Sequence, residues 1–314
     1  WLSPGAYFVY ALLSLLIIYA AYRYTKTRII LLMRLKTEHE QRVNMENMNQ
    51  QKINFFTYIS HDLKTPLTLI LSPLQRLIQQ PQISNNDKEK LEVIYRNANR
   101  MNYLINELLT FSKIEMKQMH ISVRKGDIMH FLEELSHIFD IVAGEREIDF
   151  IVSLEDTKEE VWFSPSKLER ILYNLLSNAF KYTQPGGYVR LSAKLIKEEK
   201  ETMVQISVKD SGRGIPKDVQ EQIFESYYQV EKRDHREGFG LGLSLTRSLI
   251  HMHKGEIRVE SEVNKGSDFI VTLNVSEDAY APDERSSENI TTEEIQKYNQ
   301  RIKETIELIP EKLT

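Results

Sequence analysis

The sequence predicts a multidomain chain made of a transmembrane helix, an α-helical hairpin that dimerises into a four-helix bundle, and an α+β sandwich. Three observations predict it. The run from Gly5 to Tyr22 carries no charged residue. Two later stretches step through apolar residues every three or four positions, the period of amphipathic helices. From Asp127 onward the pattern becomes runs of strands with helices between them, without regular βαβ alternation. Composition sets the outer bounds. With 41% apolar residues the chain can bury more than one core, and with no cysteine it has neither disulfides nor thiolate metal sites. Its 41 basic and 45 acidic side chains give a net charge of -4, so there is no general basic field and no direct nucleic-acid binding is expected.

The N-terminal run reads as a membrane span, with Ser14 its only polar interruption. Eighteen helical residues reach roughly 27 Å, enough for the hydrocarbon core, and Trp1, Tyr7, Tyr10, Tyr19 and Tyr22 suit the interfaces. Positive charges follow the run (Arg23, Lys26, Arg28, Arg34, Lys36), which places the C-terminal side in the cytoplasm and argues against a signal peptide. The first residue is Trp rather than Met, so an outward-facing part is expected upstream. From Ile29 to Lys52 the sequence is charged, lacks Gly and Pro, and carries a thin apolar stripe (Leu32, Leu35, Val43, Met48). It reads as one continuous helix, the alternative being a mobile linker.

The hairpin is better specified. Phe56, Ile59, Leu63, Leu67, Ile70, Leu74 and Leu77 form one stripe, and turn residues from Pro81 to Asn86 break it. A second stripe follows: Leu91, Ile94, Ala98, Met101, Ile105, Leu108 and Phe111. Two helices alone leave an apolar seam uncovered, which a second copy of the chain covers. His61 is two residues from both Ile59 and Leu63 and so is rotated off the buried stripe.

A lone exposed histidine is ordinarily a surface residue, so its neighbours carry the weight. Asp62 can accept a hydrogen bond from one imidazole nitrogen, which fixes the tautomer and stabilises the cation formed when the other nitrogen attacks. Pro66 removes the helical bond to the carbonyl of residue 62. Thr65, one turn beyond His61, can position a water there.

After an apolar helical stretch through Val142, strands are predicted over 148–154 and 161–163. A helix then starts with Ser164 as N-cap and Pro165 at its first position. Further strands are predicted over 189–196, 204–209, 257–261 and 269–275, with a helix over 243–253. On the helix from Ser166 to Tyr182, Asn174, Asn178 and Lys181 share one face opposite the Leu/Ile side. Asparagine is a poor helix former, so two at i, i+4 invite a reason. Amide oxygens suit Mg²⁺ and a lysine suits phosphate, which fits a nucleoside triphosphate, the alternative being a solvated polar face. Asp210, at a strand end before Ser211-Gly212-Arg213-Gly214-Ile215, can accept from the exocyclic amine of adenine. Gly238-Phe239-Gly240-Leu241-Gly242 precedes a helix whose N-terminal amides can hold phosphate.

Taken together these segments resemble the sensor histidine kinases of two-component systems. The hexapeptide His61-Asp62-Leu63-Lys64-Thr65-Pro66 looks like their H box, the Leu168 to Thr183 run like the N box, and Asp210 to Ile215 like the G1 box. Ile223 to Tyr228 is similar to the F box and Gly238 to Leu243 to the G2 box. Resemblance covers about residues 52–275. It departs at Phe239, where a small residue is usual, at Lys254, where a Gly often follows the helix-ending His, and at Ser267, where Thr is common.

The resemblance implies ATP and Mg²⁺ as cofactors, His61 as phosphoacceptor, and Asp62 and Thr65 as catalytic. It implies Asn178 as Mg²⁺ ligand and Asn174 and Lys181 as phosphate contacts. Tyr182, Asp210, Gly212, Gly214, Ile215, Gly238, Gly240, Leu241 and Gly242 complete the implied nucleotide site, with a lid from Gln229 to Gly238. The implied domains are a transmembrane helix (1–24), a juxtamembrane signalling helix (25–51), a dimerisation and histidine phosphotransfer domain (52–120), a catalytic ATP-binding domain (121–276) and an acidic linker or tail (277–314). The acidic tail reads as a solvated linker, the alternative being an amphipathic helix carrying Ile295, Ile302, Ile306 and Ile309. The implied partners are a second copy of the chain and a response-regulator receiver domain, in trans or in the same full-length chain, and the implied location is the cytoplasmic membrane. Two rival readings are an ATPase of the gyrase and chaperone class and a catalytically inactive dimeric membrane receptor. The ATPases carry a Glu base one turn before the metal-binding Asn, where this chain has Asn174.

Overall fold

The structure is a computed structural model, and it describes residues 4–78, 80, 83–116, 118–199, 201–228 and 240–306. It divides into two compact units, Trp1–Phe55 and Phe56–Thr314. One helix, α1 (Pro4–Ile78), contributes to both and runs through Pro66 and Pro73. The first unit contains only helix among its described residues. The predicted span from Gly5 to Tyr22 lies within α1, but side chains at 5–9, 11 and 14 are outside the described residues. Among the described residues no helix is long and apolar enough to cross a membrane. Leu12, Leu13 and the run Leu15 to Ile18 are exposed.

In the second unit, α1 is followed by α2 (Asn85–Glu115), which Ser84 caps by accepting the N–H of Asp87 at 3.2 Å. Leu67, Ala98 and Ile105 pack together, so the two stripes do meet. They meet along one side only. Leu63, Ile70, Leu77, Ile94 and Met101 remain exposed in the single chain. Phe56, Ile59, His61 and Asp62 have side chains outside the described residues.

The sandwich has a five-stranded mixed sheet in the order β2 (Asp149–Leu154), β4 (Tyr188–Lys197), β5 (Thr202–Asp210), β7 (Gly266–Asn274), β6 (Glu256–Glu262). Only β2 and β4 are parallel. A small antiparallel pair, β1 (Arg124–Asp127) with β3 (Glu160–Phe163), lies beside it. The sequence reading has no counterpart for β1, whose four residues Arg-Lys-Gly-Asp contain no apolar side chain.

Helices α3 (Ile128–Arg146), α4 (Pro165–Tyr182) and α5 (Gly242–Met252) bury their apolar sides on the sheet. Period-two alternation turns Val204, Ile206 and Val208 of β5 toward them, paired with Leu273, Val271 and Phe269 of β7. The next inward position on β5 is Asp210, so the strand that builds the core also delivers a carboxylate to its end. On α4, Leu168, Ile171, Leu172, Leu175, Leu176 and Phe180 are buried, each contributing about 1.5–3 kcal/mol of transfer free energy.

Two helix ends differ in detail from the sequence reading. Ser164 stands at the N-cap of α4, yet its hydroxyl makes no capping bond. Its backbone N–H instead donates to Nε2 of the buried His253 at 3.2 Å, which ties the start of α4 to the end of α5. Lys254 has φ 54°, the left-handed geometry that explains the usual glycine there.

The acidic tail is corrected most. Rather than a solvated linker, its described part packs on the sandwich. Tyr280 is buried and donates to the carbonyl of Asn274 at 2.5 Å. Helix α6 (Thr292–Ile306) inserts Ile295, Tyr298 and Ile302 into the main core beside Phe131. Ile309 lies outside the described residues.

Candidate functional site: a nucleotide pocket beside the helical hairpin

The pocket is built from α4, the end of β5 and the start of α5. On α4, Asn174 and Asn178 are both half-buried, one turn apart on the flank of the apolar face. Asn174 donates Nδ2–H to Thr246 Oγ1 at 2.7 Å, which draws α5 onto α4. A Cβ at Gly242 would lie 2.6 Å from Asn174 Oδ1, so only glycine lets the helix start come this near. Asn178 makes no side-chain hydrogen bond among the described residues. Its amide oxygen suits a hard cation that keeps most of its own waters and phosphate ligands, so the side chain present fits Mg²⁺. Among the described residues no group of three His, Cys, Asp or Glu side chains offers an all-protein metal site.

Lys181 and Arg213 both lie against the ring of Tyr182, with Lys181 Nζ 4.8 Å and the Arg213 guanidinium carbon 4.5 Å from its centroid. Two cations therefore gather at the end of α4, where an anionic ligand would meet them.

Asp210 is buried and accepts the N–H of Gly212 at 2.8 Å. Burial pushes its carboxyl up to about 6, against the opposing pull of the Gly212 and Ser267 backbone N–H groups. A carboxylate kept at that cost suggests a ligand that donates to it. The loop after it is closely fitted. A Cβ at Gly212 would sit 2.4 Å from the Tyr182 carbonyl, and Gly214 has φ 68° and faces the Glu262 carbonyl. Ile215 is half-buried and donates its N–H to Ser261 Oγ at 2.8 Å. Ser261 Oγ also lies 3.0 Å from the Oγ of Ser267, so the serine at the position where Thr is common takes part in this loop.

The stretch from residue 229 to residue 239, including Gly238, Phe239 and the whole of the predicted lid, lies outside the described residues. Its two flanks are joined, because Tyr227 donates its backbone N–H to the Gly240 carbonyl at 3.0 Å. Leu241 is buried and caps α5.

Sequence reasoning missed the contact between the hairpin and the sandwich. One side of α2 presents Tyr103, Glu107, Thr110 and Phe111. Arg170 of α4 donates to Thr110 Oγ1 at 2.8 Å, the rings of Tyr103 and Tyr173 lie 6.1 Å apart, and Phe111 meets Tyr227 edge-on at 5.9 Å. Glu107 is buried and accepts from the Tyr103 hydroxyl at 3.0 Å. Burial holds its carboxyl above the usual range despite the nearby Arg170 guanidinium, and also raises both tyrosines. A Tyr-x₃-Glu-x₃-Phe spacing on the far side of α2 was the available signal. Polar residues on a helix back do not announce burial.

Of the predicted catalytic residues, the structure places the backbones of His61 and Asp62 in α1, with side chains outside the described residues, and Thr65 exposed on it.

Comparison with known proteins agrees with this division. Residues 51–117 match the family described as His Kinase A (phospho-acceptor) domain. Residues 163–277 match the one described as Histidine kinase-, DNA gyrase B-, and HSP90-like ATPase. A phospho-acceptor helix pair followed by an ATPase domain defines an ATP-dependent phosphotransferase.

Among curated relatives, Histidine kinase P4 of Formosa agariphila is 34% identical over 306 residues, 94% of this chain and 22% of that protein. Sensor histidine kinase TmoS of Ectopseudomonas mendocina is 36% identical over 250 residues, covering 77% and 25% of the two chains. Sensor histidine kinase WalK of Bacillus subtilis is 33% identical over 236 residues, covering 74% and 38%. The chain thus spans between about a fifth and two fifths of the length of these relatives. The crystal structure of full-length ShkA in complex with AMPPNP shares the fold, with a TM-score of 0.60 over 70% of this chain and 46% of that one, at 24% identity. The chain belongs to the histidine kinases of two-component systems.

Proposed function

We propose that the chain transfers the γ-phosphoryl group of ATP to His61 and passes it on to an aspartate of a response-regulator receiver domain. The observation that carries this reading is Asn174. A hydrolase of this fold needs a base one turn before the metal ligand; here an amide stands there, bonded to Thr246, and cannot take a proton from water. Nucleotide bound in this pocket waits for another nucleophile.

Asp210 accepts from the adenine amine, and Lys181 with Asn174 holds the phosphates. When bound beside Asn178, Mg²⁺ supplies charge neutralisation on the phosphates. His61 attacks in line through the nitrogen that Asp62 leaves unprotonated, and Asp62 stabilises the imidazolium as the bond to the bridging oxygen breaks and ADP leaves. The phosphoryl group on nitrogen then moves to the receiver aspartate. Thr65, exposed one turn further, orients water for the reverse, phosphatase arm.

Dimerisation is supported by the apolar residues left uncovered on the hairpin, Leu63, Ile70, Ile94 and Met101, which a second copy covers as a four-helix bundle. A membrane anchor over 5–22, with the catalytic part in the cytoplasm and a signal arriving from outside, is supported by the uncharged run and by the exposed Leu12, Leu13 and Leu15 to Ile18 within it. The receiver lies in trans or in the same full-length chain.

Incubation with γ-labelled ATP tests the reading. Wild type acquires acid-labile, base-stable label and His61→Gln does not. Equal label on both, or nucleotide hydrolysis with no protein label at all, refutes it.

A further inference from the structure

The described part of the C-terminal stretch, from Glu277 to Ile306, begins at the last residue of the matched ATPase domain and does more than fill core. It grips the connector that joins the hairpin to the sandwich. The connector runs from Met116 at the end of α2 to β1, and its Ile121 and Val123 are buried in a cluster with Tyr280. Val123 donates its N–H to the Glu284 carbonyl at 2.8 Å and accepts from Ser286 N–H at 2.9 Å, so the two segments meet in a single parallel bridge. Further along, both guanidinium ends of Arg124 donate to the Glu294 carboxylate, one of them at 2.7 Å, and Ile290 sits against Gly126. Arg124 holds the Glu294 carboxyl below its usual range, and the Tyr298 hydroxyl adds a bond at 3.3 Å. A bidentate, largely shielded pair is stronger and more directional than an exposed one.

We propose that residues 277–306 form a strap that fixes the connector to the sandwich and so sets the length of free chain on which the ATP-binding domain swings toward His61. Arg124 and Glu294 are its positioning residues. With the strap closed, the connector spans five positions, 116–120, before its first strap contact at Ile121; with it open, it spans eight, 116–123, before β1 pairs with β3 at Arg124. Effective concentration falls about as the −3/2 power of tether length, and (8/5) raised to that power lowers the encounter with His61 by roughly twofold. The strap also joins α6 mechanically to the hinge, so a pull on α6 acts on transfer without touching the nucleotide.

This inference rests on the transfer reading above, and the experiment separates the two. Using the full chain, Arg124→Glu is compared with wild type and with the charge-swapped Arg124→Glu/Glu294→Arg pair. Readouts are hydrogen exchange at the Val123 and Ser286 amides, affinity for a fluorescent ATP analogue, and the rate of label transfer to His61 at saturating ATP. Expected are faster exchange at both amides and transfer slowed up to about twofold in Arg124→Glu, with nucleotide affinity unchanged and the swap restoring both. Faster exchange with an unchanged transfer rate overturns the strap while leaving the kinase reading intact. So does a parallel loss of affinity, transfer and melting temperature, which marks α6 as plain structural support. Absence of label on wild type overturns the kinase reading itself. Where Arg124→Glu fails to fold, Glu294→Gln read by the same exchange and transfer measurements decides.

Discussion

Replacing Asp210 by Asn is expected to move stability and function in opposite directions. The carboxyl of Asp210 is buried, and burial raises its pKa from an ordinary 3.8 to about 6. That difference, about two units at about 1.4 kcal/mol each, makes the ionised form cost the folded domain roughly 3 kcal/mol. The sign follows from the two values. Above pH 6 the group is charged in both folded and unfolded chains and the whole cost is felt. Between pH 6 and about 4 the folded state takes up the proton first and the cost fades; below that it is gone.

Asparagine has the same shape and no charge. Its Oδ1 keeps the bond to Gly212 N–H, but its NH₂ cannot accept from Ser267, a loss of about 1 kcal/mol. At pH 7.5 the variant is therefore expected to be about 2 kcal/mol more stable in urea unfolding, a melting gain of roughly 4–8 °C. Adenine meets a donor in place of a charged acceptor, so nucleotide affinity falls by about 1.5–3 kcal/mol, roughly 10- to 150-fold. Paired melts at pH 7.5 and pH 4, with titration of a fluorescent ATP analogue, measure both effects. A variant that loses stability and keeps its affinity shows that Asp210 is structural and refutes the argument.

Other expectations concern separate parts of the chain. His253 is fully buried, accepts from Ser164 N–H, and is lowered to about 4 by burial, so the unfolded chain protonates it first as pH falls below 6.5. Stability then declines between pH 6.5 and 4, by up to about 3 kcal/mol, and His253→Gln flattens that slope in urea midpoints measured against pH. Arg170→Ala removes the bond to Thr110 and the cation facing buried Glu107. It should loosen the α2 contact by about 1–2 kcal/mol, read as roughly tenfold faster hydrogen exchange on the sandwich side of α2. Thr65→Ala should leave labelling of His61 intact and slow dephosphorylation of the receiver; equal loss of both activities would argue for a folding role.

Much of this was legible in the sequence because its signals are local. The inward alternation of Val204, Ile206 and Val208 and the Leu/Ile side of α4 set the sandwich, and glycine spacing set the loop after Asp210. What escaped depends on contacts far apart in sequence. Arg124 and Glu294 are separated by 170 residues, and an acidic tail looks solvated until Ile295, Tyr298 and Ile302 are seen to share one face of α6 and reach the core. The back of α2 escaped for a different reason. Glu107 and Thr110 count as surface residues on any hydropathy scale, and only the arrival of Arg170 and Tyr173 makes them interior. Ser164 shows the reverse case, a correct position with the wrong partner, since His253 lies 89 residues away.

The placement of Arg170 has one more consequence. It sits on the same helix as Asn174 and Asn178, one and two turns earlier, about 12 Å from the latter along a rigid rod. Nucleotide and hairpin therefore engage adjoining stretches of α4. Thermodynamic reciprocity then applies: any free energy by which bound nucleotide weakens the grip on α2 must return as weaker nucleotide binding whenever α2 is held. An input that stiffens the hairpin is thus readable, without any phosphate moving, as a change in the dissociation constant for ATP.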